Sequence, residues 1–154
     1  MKIIFLDIDG VLNSRQYDAV RGAGDGNIDT SRLPLLKELI DTTGAMVVLT
    51  TTWRRHWDAD RSFSDEIGRQ LEQTFASYGI TLLDKTPEID NDRAKEVASW
   101  LEAHNNVEAF VVFDDIKFGW GELDHSVVKT DYRIGRGLEK KHVEAAIKIL
   151  NKAE

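Results

Sequence analysis

Three apolar runs in this chain stop abruptly at polar residues. Ile3-Ile4-Phe5-Leu6 ends in Asp7-Ile8-Asp9-Gly10, Met46-Val47-Val48-Leu49 in Thr50-Thr51-Thr52, and Phe110-Val111-Val112-Phe113 in Asp114-Asp115. Unbroken apolar runs of this length are the pattern of strands buried on both faces, as in a parallel sheet. The stretches 80–83 and 127–129 bring the predicted strands to five. Between them the period changes to that of helices. Residues 31–43 carry leucines at 33, 36 and 39 with Ile40 and stop at Gly44; residues 63–78 place Ile67, Leu71, Phe75 and Tyr78 on one stripe before Gly79. Residues 92–104 set Ala94, Val97, Ala98 and Leu101 at core spacing, and 139–151 do the same with Val143, Ala146, Ile147 and Leu150. Strands alternating with helices predict an α/β, three-layer, Rossmann-like arrangement around a mainly parallel sheet.

Composition adds bounds rather than detail. A chain of 154 residues with 42% hydrophobic content supports one domain spanning 1–154 with one real core. Two prolines, no low-complexity tract and no repeat give no sign of a linker. The absence of cysteine excludes disulfides, thiolate catalysis and cysteine zinc sites. No run approaches membrane-spanning length and the N-terminus lacks a signal-peptide pattern, so a soluble, cytoplasmic protein with no membrane partner is expected.

In open α/β sheets ligands bind beyond the carboxyl ends of the strands. Asp7 and Asp9 are predicted there, and side chains two apart on an extended strand share a face, so their carboxylates converge unless the chain kinks between them. Asp114 and Asp115 end a second apolar run in the same way. Four carboxylates at one rim form a set of hard oxygen ligands suited to Mg²⁺. The hydroxyls of Thr50, Thr51 and Thr52, with free backbone N–H groups at a strand end, suit a phosphate oxygen.

These features, in this order, resemble the haloacid dehalogenase-like (HAD) phosphohydrolases. Their motifs are an apolar strand ending in DxD, a strand ending in Thr or Ser, a Lys or Arg at a helix start, and a strand ending in paired acids. Phe5-Leu6-Asp7-Ile8-Asp9-Gly10-Val11-Leu12-Asn13 and Val47-Val48-Leu49-Thr50-Thr51-Thr52-Trp53-Arg54 look most like small HAD domains, some found within RNA-repair proteins. The resemblance implies phosphoryl transfer through an aspartyl-phosphate, with Asp7 as nucleophile and Asp9 as general acid and then general base. It implies that Thr50 hydrogen-bonds the phosphoryl group. Mg²⁺ is expected on Asp7, the backbone carbonyl of Asp9, and Asp114 or Asp115. The third motif has two candidates, Arg93 and Lys95, whose two-residue spacing puts them on different helix faces. The small-domain subgroup tends to have Arg at the position of Arg93. Polynucleotide kinase-phosphatases resemble the stretch with a Lys at the position of Lys95.

Larger HAD enzymes insert a cap domain after the first or second motif. Here 13–29 is short and holds Gly22, Gly24 and Gly26, and 54–79 has room for about one helix, so a site with little or no cap is expected. Within the family an open site favours bulky substrates, and fold analogy alone is a weak warrant for one. Trp53-Arg54-Arg55-His56-Trp57 interleaves cations with aromatics directly after the threonines and points to a nucleic-acid end, with Arg54 as a substrate contact beside Thr51. The alternative is that one Trp packs into the core while the arginines pair with some of the 27 acids. A net charge of −7 opposes a large nucleic-acid footprint. The leading expectation is a Mg²⁺-dependent phosphomonoesterase acting on a nucleic-acid 3′-phosphate or a nucleotide. A catalytically silent binding module and a small-metabolite phosphatase are the alternatives.

Overall fold

A computed structural model describes residues 1–21, 28–116 and 119–152; Gly22, Gly24 and Gly26 of the stretch 13–29 lie outside the described residues. Five strands, β1 (Lys2–Leu6), β2 (Met46–Leu49), β3 (Leu82–Lys85), β4 (Ala109–Asp114) and β5 (Val127–Lys129), form one sheet in the order β3-β2-β1-β4-β5. Every pairing is parallel. Sequence-adjacent strands then need crossovers, and these supply the helices α1 (Arg15–Arg21), α2 (Leu33–Thr43), α3 (Glu66–Ala76) and α4 (Arg93–Glu102), while α5 (Lys140–Asn151) follows the last strand.

Alternation along β1 divides the core. Ile4 and Leu6 join Leu36, Leu39, Phe75, Val143 and Leu150 on the face covered by α2, α3 and α5. Ile3 and Phe5 meet Val97, Trp100 and Trp120 on the face covered by α4. Phe5 packs edge-on against Trp100 with ring centroids 5.4 Å apart, and the Trp100 indole N–H donates to Asp84 at 2.8 Å. Central strands buried on both sides explain why their sequences read as continuous apolar runs.

Two element boundaries differ from expectation. α3 begins at Glu66 rather than near 63, because the Asp65 carboxylate caps it by accepting from the Gly68 N–H at 3.0 Å, and the preceding residues make a separate 3-10 turn. Ile67 and Tyr78 are exposed, so only Leu71 and Phe75 of the predicted stripe are buried. β3 starts at Leu82, since the Ile80 N–H is held by the Phe75 carbonyl as α3 ends. Gly44 stops α2 as expected, with φ +71° and its N–H on the Ile40 carbonyl.

Between β1 and β2 the described residues hold α1, a 3-10 turn and α2, and between β2 and β3 two 3-10 turns and α3. The crossovers carry no cap domain among the described residues. None of the described helices is long and apolar enough to cross a membrane.

Candidate active site

The sheet register assembles the site. Leu6 pairs with both Leu49 and Phe113, so the next residue in each strand emerges on one edge: Asp7, Thr50 and Asp114. The ladder runs one step further, with the Thr50 N–H on the Leu6 carbonyl at 3.0 Å and the Asp7 N–H on the Phe113 carbonyl at 3.2 Å. Three motif residues more than forty positions apart therefore share a row.

Asp7, Asp114 and Asp115 each present a carboxylate oxygen within 4.8 Å of the others. Asp7 is 7% exposed and Asp114 1%. Burial pushes the Asp7 carboxyl up to about 7; Arg93 pulls it down, and the charges of Asp114 and Asp115 push it further up. Burial likewise raises Asp114 to about 6, with Asp115 adding to the effect. Buried like charges this close call for a cation, and an all-oxygen donor set without nitrogen or sulfur fits a hard one such as Mg²⁺.

Asp9 stands apart from that cluster. The chain leaves the strand after Leu6 and turns, with Ile8 buried in the core and Asp9 exposed. Asp9 Oδ1 accepts from Asn13 Nδ2 at 3.0 Å, and Asn13 Oδ1 accepts from the Gly10 N–H at 2.8 Å. The two carboxylates of the DxD motif thus do not converge on one ion, and any share Asp9 takes in a cation shell falls to its backbone carbonyl. The kink foreseen as the exception is the rule here. Gly10, at φ +84°, makes the turn, and a Cβ there would lie 2.6 Å from the Asp115 carboxyl carbon. Thr130 Oγ1 pins the same turn by donating to the Gly10 carbonyl at 2.6 Å.

Arg93 occupies the first turn of α4, whose cap is Asp92, accepting from the Lys95 N–H at 3.2 Å. Its guanidinium donates to the Thr50 carbonyl and lies 3.7 Å from Asp7 Oδ1. Lys95 turns outward, 61% exposed, toward Asp90 at 3.9 Å. Of the two third-motif candidates, Arg93 reaches the site and Lys95 does not, because two positions along a helix rotate the side chain by about 200°.

Thr50 is fully buried, and its hydroxyl has no hydrogen-bond partner among the described residues. Leaving such a group unsatisfied costs about 1–3 kcal/mol, so a ligand oxygen there would recover a real penalty. Thr51 is also fully buried, but its Oγ1 accepts from the Trp53 N–H at 3.3 Å and caps a 3-10 turn (Thr52–Arg55). The expected role of Thr51 as a substrate contact gives way to this cap.

Arg54 is corrected in the same way. It is 4% exposed, and its guanidinium donates to the Thr50 carbonyl and to the buried carboxylate of Glu96. Trp57 is buried and Arg55 pairs with Glu88 at 2.7 Å, so 53–57 forms no continuous cationic and aromatic surface. The acid-pairing alternative holds for both arginines. Arg54 and Arg93 instead converge on one carbonyl, fixing the peptide from which the Thr50 hydroxyl projects.

Sequence reasoning did not single out Glu96 or Lys85. Lys85 Nζ donates to the carbonyls of Arg54 and Trp57 at 2.9 and 2.6 Å, holding the turn that carries Arg54. Glu96 is 42 positions from Arg54, with no local signal linking them. Asn13 was within reach of a local reading, since an Asn three residues after a turning glycine is placed to bond backbone N–H groups.

Comparison with known proteins agrees with the motif order. The sequence profile of the HAD domain in Swiss Army Knife RNA repair proteins matches residues 3–143 of the 154. No curated protein and no solved structure matched the chain. The match takes in all three motif strands and α4, and supports a phosphatase-type hydrolase at the level of the superfamily. The chain belongs to the HAD domains of Swiss Army Knife RNA repair proteins.

Proposed function

We propose that this protein is a Mg²⁺-dependent phosphomonoester hydrolase acting on the terminal phosphate of a nucleic-acid strand or nucleotide. The observation that carries the reading is the meeting of Asp7, Asp114 and Asp115 within 4.8 Å, beside Arg93 and an unpartnered Thr50 hydroxyl. Mg²⁺ bound at the three carboxylates would neutralise charge between the nucleophile and the anionic phosphoryl group.

The chain's own residues supply the rest. The Ile8 N–H donates to Asp7 Oδ1 at 2.9 Å and orients the carboxylate. An Asp7 oxygen forms a bond to phosphorus as the ester P–O bond breaks, giving an aspartyl-phosphate. Asp9, exposed and held by Asn13, delivers a proton to the departing oxygen. It then takes a proton from the water that attacks phosphorus and releases phosphate, restoring Asp7. Arg93 and the Thr50 hydroxyl hold the phosphoryl oxygens. The nucleic-acid part of the reading is supported by the name of the matched family and by crossovers that hold no cap domain among the described residues.

Phosphate release should be measured on an aryl phosphate, mononucleotides, a 3′-phosphorylated oligonucleotide and sugar phosphates, each with Mg²⁺ and with chelator. Mg²⁺-dependent release strongest on the oligonucleotide is expected. Release confined to sugar phosphates would replace the substrate class. No release from any member would replace the enzyme with a binding module.

A further inference from the structure

The two flanks of the reaction centre differ in charge. On the α4 side a cavity of about 370 Å³ is lined by Asp90 and Asp92 as well as Arg93 and Asp114. On the other side the segment 129–136, which runs from the last residue of β5 toward α5, carries Lys129, Arg133 and Arg136. Lys129 and Arg133 line a cavity of about 410 Å³ that Asp115 and Asp131 also line, so it adjoins the carboxylate cluster. Arg136 lines a second cavity, of about 300 Å³, with Arg32, Tyr17 and Ser14.

These cations stand open. In a chain of net charge −7, none of Lys129, Arg133 and Arg136 forms an ion pair among the described residues, while Arg32 is held by Asp29 at 3.7 Å. The acids nearby are committed elsewhere. Asp115 belongs to the cluster, and Asp131 Oδ1 accepts from the N–H groups of Arg133 and Ile134 at 2.9 and 3.0 Å, although its charge still reaches Lys129.

The segment is also rigidly tied to the centre. Thr130 donates to the Gly10 carbonyl, Tyr132 Oη donates to Asp18 of α1 at 2.7 Å, and the Arg15 N–H donates to the Tyr132 carbonyl at 2.8 Å. A Cβ at Gly137 would lie 2.5 Å from the Val11 carbonyl, so the segment closes directly on the first-motif loop. Three exposed cations, against the single carboxylate of Asp131, on a backbone anchored to the first-motif loop suit a ligand carrying several negative charges.

We propose that segment 129–136, with α1 beside it, is the strand-binding subsite of the enzyme: the phosphodiester backbone leaves the reaction centre on this side, contacted by Lys129, Arg133 and Arg136. This rests on the nucleic-acid reading above and specifies where the strand runs. It also replaces residues 53–57 as the cationic surface.

The test is kcat/KM for a 3′-phosphorylated oligonucleotide relative to an aryl phosphate, in the whole chain with Mg²⁺. In the Arg133→Gln/Arg136→Gln variant this ratio is expected to fall at least tenfold. The slope of log kcat/KM for the oligonucleotide against log salt should drop by about 1.4, the loss of two phosphate contacts on a single strand. Lys148→Gln/Lys152→Gln, at two exposed positions at the C-terminal end of α5, is the charge-matched control and should leave both unchanged. A wild-type enzyme with no preference for the oligonucleotide removes the nucleic-acid reading and the subsite together. A wild-type preference that survives in the double variant overturns the subsite alone. Equal losses on both substrates would make 129–136 a structural support of the centre, and would also overturn it.

Discussion

The site contains two buried charge clusters of opposite character. Asp7, Asp114 and Asp115 hold three carboxylates with a single guanidinium, Arg93, at 3.7 Å from Asp7. Arg54 and Glu96 are closed on each other, with side chains 5% and 3% exposed. The second cluster balances its charge internally and positions the Thr50 carbonyl. The first remains uncompensated, with three carboxylates against one guanidinium; burial raises the Asp7 and Asp114 carboxyls, as it also raises Glu96. A compensated cluster is built for geometry, whereas an uncompensated one is built for a ligand.

The largest expected effect falls on the uncompensated cluster. Asp7→Asn should lower turnover by about 10³-fold or more, since it removes the nucleophile, while thermal melting in chelator shows a fold as stable as the parent or more so. Near-wild-type phosphate release from this variant would sink the covalent scheme.

The compensated cluster should respond in the opposite sense. Glu96→Ala leaves the Arg54 guanidinium buried without its partner and is expected to destabilise the fold by about 3 kcal/mol in urea denaturation. If Glu96→Ala unfolds at the parent midpoint, the pair is no structural support and the contrast between the clusters fails.

Arg93 links the two clusters and should behave as a member of the site. Arg93→Ala is expected to cost about 10²-fold in kcat/KM, the range seen when one donor to a developing anion is removed. Lys95→Ala, two residues on, should remain within about twofold. The reverse ranking would return the third motif to Lys95.

The smallest effect is on stability against pH and cation. The Asp7 carboxyl rises from 3.8 to about 7, so its contribution to stability is fully present below 3.8 and is lost as pH rises through about 7. In chelator, Tm should therefore fall between about pH 4 and 7, and Asp7→Asn should flatten the fall. Mg²⁺ at about a hundredfold excess over Kd should raise Tm at pH 8 by about 5–10 °C, and Asp114→Asn should remove most of that gain. An unchanged Tm with Mg²⁺ would mean that the three carboxylates bind no cation.

The periodic patterns carried much of the fold. Continuous apolar runs named the strands because central parallel strands are buried on both faces, and Gly44 marked a helix end because its left-handed conformation is local. Boundaries set by capping were less legible. The stripe from Ile67 to Tyr78 looked continuous, yet Asp65 started α3 later and two of its four residues stayed outside the core. Within the site, the row of Asp7, Thr50 and Asp114 was foreseen from three similar strand ends. The burial of Arg54 was not, because 53–57 reads identically whether its cations face water or a carboxylate 42 positions away.

By itself the sequence determined which residues end strands, in what order the motifs come and that the sheet is α/β. These follow from unbroken apolar runs, from the polar residues that end them and from a period of 3.6 residues, which each segment carries alone. The tertiary structure decided the register that sets Leu6 against Leu49 and Phe113, the turn that parts Asp9 from Asp7, the choice of Arg93 over Lys95, and the pairing of Arg54 with Glu96. Those outcomes depend on which distant groups share a low-dielectric interior, where an unpaired charge or donor is too costly to leave. Only the packed fold says which partner is within reach.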